Sequence, residues 1–441
     1  MTKLSISKTR RAFFERALLL TGGVSLGATA PEARAAIDAV SAPMALSTPF
    51  YNVFDYGAVG NGVTDDTQHI QDAINAAAAS GGGTVLLPAA QYRVGGSLTI
   101  TSNGITISGV NTKASILKVP NTSSANTISF SGCSGCVVRS LAISSTGRTI
   151  GTAIKLNNCN STVIEDVDME YQFSGLMIDG GVVHRINRGY WIINSGGTGI
   201  TVGGTQGEIS EVHISRISLD ANDVAQAAVG LSIKWAGGVF VDSCDFISCV
   251  VGLSIAPGPI VVNNQTLNQT VNFCFFSNTC WDSSGDRNIV IVGTQNSQVH
   301  GLSFSNCWSA SSVYDNCVVT GYVNGCSFVG HKFLNSTQGN GLWVNGPNAK
   351  NVFVDACVAS GIPVGNAYCF VGNATDFAVR NSFAGVVGAA GTAVFPPNLY
   401  GLRVTSGCNN YLYTGNVLRG NGTNLLDQGG PNKSVGTNLQ V

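Results

Sequence analysis

A short pattern of apolar and polar residues recurs through most of the chain, starting near residue 100. Each unit has a strand of the form Gly-Leu-x-Ile, a polar turn, a second strand of the form Val-x-Val, and then Asn, Ser or Asp with an aromatic residue. VGLSIKWAGGVFVDSCDF and NGLWVNGPNAKNVFVDAC are two examples. Apolar and polar residues alternate within each strand, so one face points to a core and the other to solvent.

The length of the repeat indicates the architecture. Most units span 22 to 30 residues, which is too short for a helical pair and typical of one coil of a parallel β-helix. We therefore predict an all-β fold, a single-stranded right-handed parallel β-helix of about a dozen coils. The predicted domain covers residues 48–441, with a capping segment at 48–100 and the coils at 101–430.

A helical pattern stands at the start of this domain, in NGVTDDTQHIQDAI. Thr64 is a suitable N-cap, Asp65 and Asp66 fall in the first turn, and Gly81 to Gly83 stop the helix. The apolar stripe consists of Ile70, Ala73, Ile74 and Ala77. We predict an N-terminal capping α-helix over the first coil, in which the two acids serve the fold rather than chemistry.

The first 35 residues have the features of a targeting segment. They contain an Arg pair, an apolar stretch from Ala17 to about Ala30, and a small-x-small site at Ala33-Arg34-Ala35. This resembles a twin-arginine export signal, and the apolar stretch is too short for a membrane span of ~20 residues. We expect export to the periplasm or beyond, with residues 36–47 as a linker.

Charge and cysteine content narrow the function. Only 11% of the residues are charged and the net charge is −1, so we expect no nucleic-acid partner, because such proteins need a basic surface. The thirteen cysteines are odd in number and mostly lie in apolar strand patterns, which predicts buried thiols. The histidines lack metal-ligand spacing, and we expect no metal or other cofactor.

One segment carries a family resemblance. YNVFDYGAVGNGVTDDTQHIQDAINAAAASGGGTVLLPAAQYRV resembles the N-terminal signature of the pectate-lyase-like β-helix superfamily, in the branch with rhamnogalacturonase- and epimerase-like proteins and many phage tailspikes. It departs from that pattern at Asn61, usually Asp, and at Ala90, usually Gly. The resemblance implies the β-helix fold and a carbohydrate partner. The motifs typical of polygalacturonases and classical pectate lyases are not recognisable.

The same resemblance places a glycan groove along the first sheet, which the Gly-Leu-x-Ile strands form. Polar, cationic and aromatic residues at outward positions of these strands predict a sugar-binding strip. Its members are Lys155, Asp179, Ser232, Lys234, Ser254, Trp343 and Arg403. Each of them taken singly is also compatible with a solvated surface position.

Two acids precede neighbouring strands of this sheet. Asp286 in SGDRNIVIV and Asp315 in VYDNCVV each stand three residues before a predicted inward residue, Ile289 or Val318. Equivalent positions on adjacent coils lie ~4.8 Å apart, close to the ~5 to 5.5 Å between the carboxyl groups of retaining glycosidases. The pair is therefore a candidate acid and nucleophile, with a turn-capping Asp ladder as the alternative.

Two coils are longer than the rest, and the additions are candidates for groove walls or subunit contacts. SLDANDVAQAA adds Asp220 and Asp223 as further candidate catalytic acids, and the stretch from Pro257 to Gly285 adds Trp281. Trp235 and Trp281 are candidate platforms for sugar rings, with burial in the core as the alternative.

These features predict an exported enzyme acting on a polysaccharide or oligosaccharide. A glycoside hydrolase or glycosyl-transferring enzyme with paired carboxylates fits the acids best. A polysaccharide lyase or epimerase acting on uronates is the second alternative, with Lys234 and Arg403 available. The third is a non-catalytic glycan-binding or tailspike-like protein, for which a homotrimer is an option because several β-helix relatives are trimeric.

Overall fold

A computed structural model of the chain describes residues 49–221, 228–386 and 395–440. The predicted export signal and linker lie outside these ranges, as does Asp223. A 3₁₀ helix covers Val53–Tyr56 and an α-helix, α1, covers Thr67–Ala79.

The strands in chain order are β1 (Phe50–Asn52), β2 (Asn61–Asp65), β3 (Gly83–Leu87), β4 (Ala90–Arg93), β5 (Leu98–Ile100), β6 (Ile105–Gly109), β7 (Ser115–Lys118), β8 (Ile128–Ser131), β9 (Val137–Ser144), β10 (Thr152–Asn160), β11 (Val163–Val202), β12 (Ile209–Ala221), β13 (Val229–Ile233), β14 (Ala236–Asp242), β15 (Asp245–Ile247), β16 (Val251–Ile255), β17 (Pro259–Val262), β18 (Gln265–Asn268) and β19 (Val271–Ser277). They continue as β20 (Cys280–Asp282), β21 (Arg287–Gly293), β22 (Val299–Ser305), β23 (Trp308–Ala310), β24 (Cys317–Gly321), β25 (Val323–Val329), β26 (Lys332–Leu334), β27 (Leu342–Asn345), β28 (Ala349–Asp355), β29 (Val358–Ser360), β30 (Asn366–Val371), β31 (Thr375–Arg380), β32 (Phe383–Gly385), β33 (Tyr400–Val404), β34 (Asn409–Thr414), β35 (Val417–Arg419), β36 (Thr423–Asp427), β37 (Lys433–Val435) and β38 (Leu439–Gln440).

These strands wind into a right-handed parallel β-solenoid of about 14 turns. The predicted all-β parallel β-helix is thereby confirmed. Sheet 1 contains β5, β8, β10, β13, β16, β21, β24, β27, β30, β33 and β36, and is the predicted first sheet. Sheet 2 contains β1, β3, β6, β14, β19, β22, β25, β28, β31, β34 and β37. Sheet 3 contains β2, β4, β7, β15, β20, β23, β26, β29, β32, β35 and β38, while β9, β11 and β12 run round corners between sheets.

Residues with left-handed backbone make the corners. Between sheets 2 and 3, Ser243, Asn278, Asn306 and Asn381 occupy equivalent positions and have φ values of 54°, 49°, 52° and 50°. Small polar residues, and Asn in particular, adopt this conformation at low cost. One such residue turns the chain sharply without a loop, so the ladders stay in register around the corner.

Inward side chains stack along the solenoid axis and form the core. The rings of Phe276, Phe304 and Phe328 stack at centroid distances of 4.6 and 4.8 Å, close to the spacing between neighbouring strands. Trp281 packs edge-on against this stack and is fully buried. In the described part of the chain, no helix is long and apolar enough to cross a membrane.

The prediction of buried thiols is confirmed, because all thirteen cysteines are free and all but Cys280 are buried. We expect a thiol reagent to label very few of them in the native protein and most of them after unfolding without a reductant. Thiol titration under both conditions measures this. Finding several disulfides after unfolding would contradict a core built on free thiols.

Helix α1 differs from its prediction at the N-terminal end. Its buried residues are Ile70, Ala73, Ile74 and Ala77, as expected, but it starts at Thr67 with Asp66 at the N-cap. Thr64 and Asp65 belong to β2 instead. The Asp65 carboxylate accepts hydrogen bonds from the amide and hydroxyl of Thr67. The role of this helix as a cap of the first coil stays a prediction.

The Asp66 side chain serves a different purpose from the one predicted. It is fully buried and accepts hydrogen bonds from the amides of Val59 (2.6 Å) and Gly60 (3.1 Å). The two amides therefore depend on this carboxylate for their partners. Asp66 therefore holds the loop before β2.

Replacing Asp66 by Ala should lower the free energy of unfolding by roughly 1–3 kcal/mol for each amide left unpaired. Asp65→Ala is the matched control, because Asp65 is exposed and losing its hydrogen bonds to Thr67, the first helical residue, should cost about 0.5–2 kcal/mol, as for other side chains that satisfy helix-end amides. Denaturant unfolding of both variants gives the comparison. An equal or larger loss for Asp65→Ala would contradict the structural role of Asp66.

Candidate active site

The two predicted catalytic acids do not occupy equivalent positions. Ile289 pairs with Cys317, and Val290 pairs with Val318. The prediction aligned Ile289 with Val318 and was therefore wrong by one residue. Asp315 stands opposite Arg287, and its carboxylate contacts that residue. Two successive residues, Asn316 and Cys317, are buried at this corner, which breaks the alternation on which the alignment relied.

Arg287 joins the two acids into one ion-pair group. Its Nε donates to Asp315 Oδ2 at 3.1 Å, and its Nη1 donates to Asp286 Oδ1 at 2.9 Å. Oδ1 of Asp315 accepts from both the backbone amide (2.8 Å) and the side-chain amide (2.7 Å) of Asn340. Asp315 is only 5% exposed, so its carboxylate is fully engaged by protein groups.

The hydrogen bonding continues to the next coil, where Asn366 donates its backbone amide (3.0 Å) and its side-chain amide to Asn340 Oδ1. We call Asp286, Arg287, Asp315, Asn340 and Asn366 the Asp315 cluster. These residues lie at, or just before, the starts of four successive strands of sheet 1, β21, β24, β27 and β30. The hydrogen bonds fix the outer face of the sheet over four coils.

Buried asparagines support the Asp315 cluster from inside. Asn288 and Asn316 follow Arg287 and Asp315, and both are fully buried. The Asn288 amide donates to Asn316 Oδ1 at 3.0 Å and to the Ala310 carbonyl at 2.7 Å. The buried side-chain amides of Asn288 and Asn316 are thus hydrogen-bonded. These hydrogen bonds, rather than apolar packing, hold the adjacent outward residues Arg287 and Asp315 in place.

Two arginines of sheet 1 lie over tyrosine rings. Arg287 is 5.6 Å from the ring centre of Tyr314, and Arg403 is 5.4 Å from that of Tyr400. The two pairs differ in charge, because Arg287 is neutralised by the acids whereas Arg403 makes no ion pair with any described residue. Arg403 is therefore an uncompensated cation on the outer face of the sheet.

A second outward row runs beside the Asp315 cluster. Val318, Trp343, Cys369 and Arg403 pair in succession across β24, β27, β30 and β33. Burial raises the pKa of the Cys369 thiol to about 12; nearby Arg403 opposes this shift and Asp315 adds to it. The Cys369 thiol is therefore close enough to feel the charge of Arg403 in its own row and of Asp315 in the neighbouring row. From Arg287 to Tyr400 the face spans four strand spacings, or roughly 19 Å.

The upstream part of the predicted strip is organised separately. Lys155 Nζ lies 3.8 Å from Asp179 Oδ2, and Asp179 accepts hydrogen bonds from the amides of Thr205 (2.6 Å) and Gln206 (2.9 Å). Asp179 is 3% exposed, so its role is to hold the turn after β11. This corrects its prediction as a sugar ligand.

The remaining outward residues of the strip differ in exposure. Ser232 and Ser254 pair with each other, and Ser232 is 7% exposed. Lys234 is exposed, and the neighbouring Trp235 is half-buried. Of these four residues, Lys234 and Trp235 present the most side-chain surface to a ligand.

Three further site predictions have different outcomes. Trp281 is fully buried between Phe246 and Phe304, so its prediction as a sugar platform was wrong. Asp220 is half-buried and pairs with Ile247 in sheet 3, not with the strands of sheet 1. Asp223 lies outside the described residues, so its role stays a prediction.

Sequence reasoning missed Arg287, Asn340, Asn366 and Tyr400. The sequence feature that could have identified them is a pair of residues at or just before the start of each strand of sheet 1. The first residue of the pair faces outward and the second faces inward. Aligned on that pair, SGDRNIVI, VYDNCVV, QGNGLWV, VGNAYCF and NLYGLRV show Arg-Asn, Asp-Asn, Asn-Gly, Asn-Ala and Tyr-Gly in equivalent places.

Comparison with known proteins confirms the family resemblance. Residues 50–254 match the family described as rhamnogalacturonase A/epimerase, pectate lyase-like. Mannuronan C5-epimerase AlgE5 of Azotobacter vinelandii is 60% identical over 60 residues, which is 12% of this chain and 6% of that protein. The tail spike protein of Shigella phage Sf6 is 30% identical over 152 residues, 32% of this chain and 22% of that protein.

Among solved structures, the A-module of mannuronan C-5 epimerase AlgE4 of Azotobacter vinelandii has a similar fold. It superposes with a TM-score of 0.53 and 15% identity, over 88% of this chain and all of the module. At this identity the similarity concerns the fold alone. The matched segments cover only a small fraction of the curated relatives' length. The activities of those proteins therefore cannot be assigned to this chain from the match alone.

Proposed function

We propose that this pectate-lyase-like chain is a carbohydrate-active enzyme that acts at C5 of a uronate residue in a polysaccharide, as an epimerase or a lyase. Arg403 carries the proposal, because it is a cation on the outer face of sheet 1 with a tyrosine beside it and, within the described ranges, no acid to neutralise it. The matched mannuronan C5-epimerase supports a uronate substrate.

Arg403 would bind the carboxylate of the uronate. That carboxylate is attached to C5, so negative charge that develops on removal of the C5 proton spreads onto it. A guanidinium placed there stabilises the transition state more than the ground state. Arginine also matches a carboxylate in geometry, because it can donate two parallel hydrogen bonds.

Tyr400 would transfer the proton. Its ring lies beside the Arg403 guanidinium, which would place its oxygen next to C5 when Arg403 holds the carboxylate. Tyr400 would act as the tyrosinate: the C5–H bond breaks, its electron pair passes into the enolate formed with the carboxylate, and the proton moves to the tyrosinate oxygen, which becomes the neutral hydroxyl. Return of a proton to the opposite face gives the epimer, whereas loss of the C4 oxygen substituent gives an unsaturated uronate.

Trp343 would hold a neighbouring sugar. It stands on the same outward row as Arg403, two strand spacings or roughly 10 Å away. Half-buried aromatic side chains of this kind offer a rigid apolar surface at small conformational cost. Asn340 lies just before β27, the strand of Trp343, and Asn366 begins the intervening strand β30, so their hydrogen bonds hold this part of the face in shape.

The geometry gives less support to hydrolysis by the predicted acid pair. A retaining or inverting mechanism needs two carboxyl groups that reach the substrate. Asp315 is 5% exposed and binds Arg287 and Asn340, so only Asp286 of this pair is available. We therefore assign Asp315 to positioning the face rather than to bond cleavage.

The test is to incubate the protein with alginate and with polygalacturonate in D₂O. C5 exchange, seen by NMR as loss of the H5 signal, is expected with at least one polymer, and ultraviolet absorbance of unsaturated uronates then separates lyase from epimerase. New reducing ends with neither loss of H5 nor unsaturated-uronate absorbance would replace the proposal with hydrolysis. No change in either polymer would overturn it.

A further inference from the structure

A second concave surface lies on sheet 2, near the C-terminal end of the solenoid. It is an open pocket of about 640 Å³, a volume within the range of about 300–1,000 Å³ that is typical of small-molecule sites. Its lining includes Phe353, Asn351, Asp376, Asn410, Asn432 and Lys433. None of these residues belongs to the face of sheet 1 described above.

Phe353 forms an aromatic wall of this pocket. It is 41% exposed, and its neighbours on the same outward row are Ser327 and Ala378. Both are small, so neither can cover a face of the ring. Elsewhere on this row Phe240 and Phe275 stack on each other at 5.2 Å, whereas Phe353 has no aromatic ring paired with it on either neighbouring strand.

The opposite wall offers hydrogen-bonding groups. Asp376 Oδ1 accepts from the Asn410 side-chain amide at 2.6 Å, while Oδ2 has no partner among the described residues. The Asn432 side chain also makes no hydrogen bond within the described part of the chain, although its backbone carbonyl accepts from Asn410. A carboxylate and amides beside an aromatic ring match the hydroxyl groups and apolar face of a sugar.

Charge selects the class of ligand. Lys433 Nζ is 2.9 Å from Asp427 Oδ2, so its charge is compensated, and Asp376 then leaves the pocket net negative. A uronate, phosphate or sulfate would be repelled. We propose that this pocket binds a neutral saccharide unit, at a site separate from sheet 1 and independent of the function proposed there.

The experiment is native affinity electrophoresis in gels containing dextran, galactomannan or alginate. We expect at least one of the two neutral polysaccharides to retard the protein. Phe353→Ala and Asp376→Ala should each weaken that retardation about tenfold or more, the size expected when a central contact is removed. Melting temperatures show whether each variant is folded.

Phe275→Ala is the matched control, because Phe275 is 43% exposed on the same row and does not line the pocket. It should be retarded like the unmodified protein. Retardation by alginate alone, or by no polymer in the panel, would overturn the proposal. So would an equal loss in Phe275→Ala, or a change in oligomeric state of Phe353→Ala on gel filtration, which would indicate a surface for a second copy.

Discussion

Replacing Tyr400 by Phe is expected to lower kcat on the responsive uronate polymer by roughly 10²- to 10⁴-fold, the usual contribution of a proton-transferring side chain. The ring and its contact with Arg403 remain, so folding and affinity should change little. Arg403→Met should lower kcat/KM as well, because it removes the group that binds the carboxylate. Steady-state kinetics with C5 exchange as the readout measures both effects.

The chain provides a matched control for this experiment in the other arginine–tyrosine pair. Tyr314 lies 5.6 Å from Arg287 and is 43% exposed, but Arg287 is already bound to two acids. Tyr314→Phe should therefore leave kcat within a few-fold. If Asp286→Asn abolished turnover while Tyr400→Phe did not, the acid would be the catalytic group and the assignment to Tyr400 would be wrong.

The second large effect concerns stability in mild acid. His184 and His331 are fully buried, and burial lowers the pKa of His184 to about 4 and that of His331 to about 3. Neither ring nitrogen of His184 makes a well-formed hydrogen bond with a described residue, and the nearby Gly180 backbone only partly opposes the lowering of its pKa. His331 Nε2 lies 2.9 Å from the Ser309 hydroxyl. Neither environment accommodates an imidazolium ion.

Whether acid raises or lowers the free energy of unfolding depends on which state, folded or unfolded, binds more protons. Above pH 6.5 both histidines are neutral in the folded and unfolded states, and they contribute no penalty. Below that pH the unfolded chain takes up protons that the folded protein cannot, so stability falls as the pH falls toward the folded pKa values. At pH 5 the loss is roughly 2 kcal/mol for each histidine.

Denaturant unfolding at pH 7 and pH 5 measures this loss, in a range above the titration of ordinary carboxylates. We expect His184→Phe combined with His331→Phe to remove most of the dependence, whatever its effect at pH 7. His213→Phe is the control, because the His213 side chain is 42% exposed. The same pH dependence in the double variant and in the unmodified protein would show that other groups are responsible.

The sequence was sufficient for the fold because its dominant signal is periodic. Alternation along strands and recurring Gly and Asn determine a solenoid coil by coil, and an error in one unit does not affect the next. Helix α1 was also visible from its apolar stripe. Its start was misplaced by two residues, since the hydrogen bonds from Val59 and Gly60 to Asp66 depend on a loop conformation that no pattern reveals.

The candidate site was predicted less well because it depends on register. A shift of one residue moved Asp315 from a position opposite Asp286 to one opposite Arg287, and an expected pair of like charges became an ion-pair group. Trp281 was misassigned for a related reason, since a Trp in a longer coil has the same sequence signature whether it faces the core or a groove. Trp343 and Arg403 were correctly placed on the outer row of sheet 1 because regular alternation extends through β27 and β33.

The hairpin of β17 and β18 shows how this architecture accommodates new surface. It occupies residues 259–268, between β16 and β19, yet β16 pairs with β21 and β14 with β19 in uninterrupted register. Between β13 and β14 the same corner needs only Lys234 and Trp235. Doubling the length of a flexible connection costs only about 0.6 kcal/mol. A coil can therefore acquire a binding loop at one corner while the stacked strands keep their partners, so substrate range can diverge without any redesign of the scaffold.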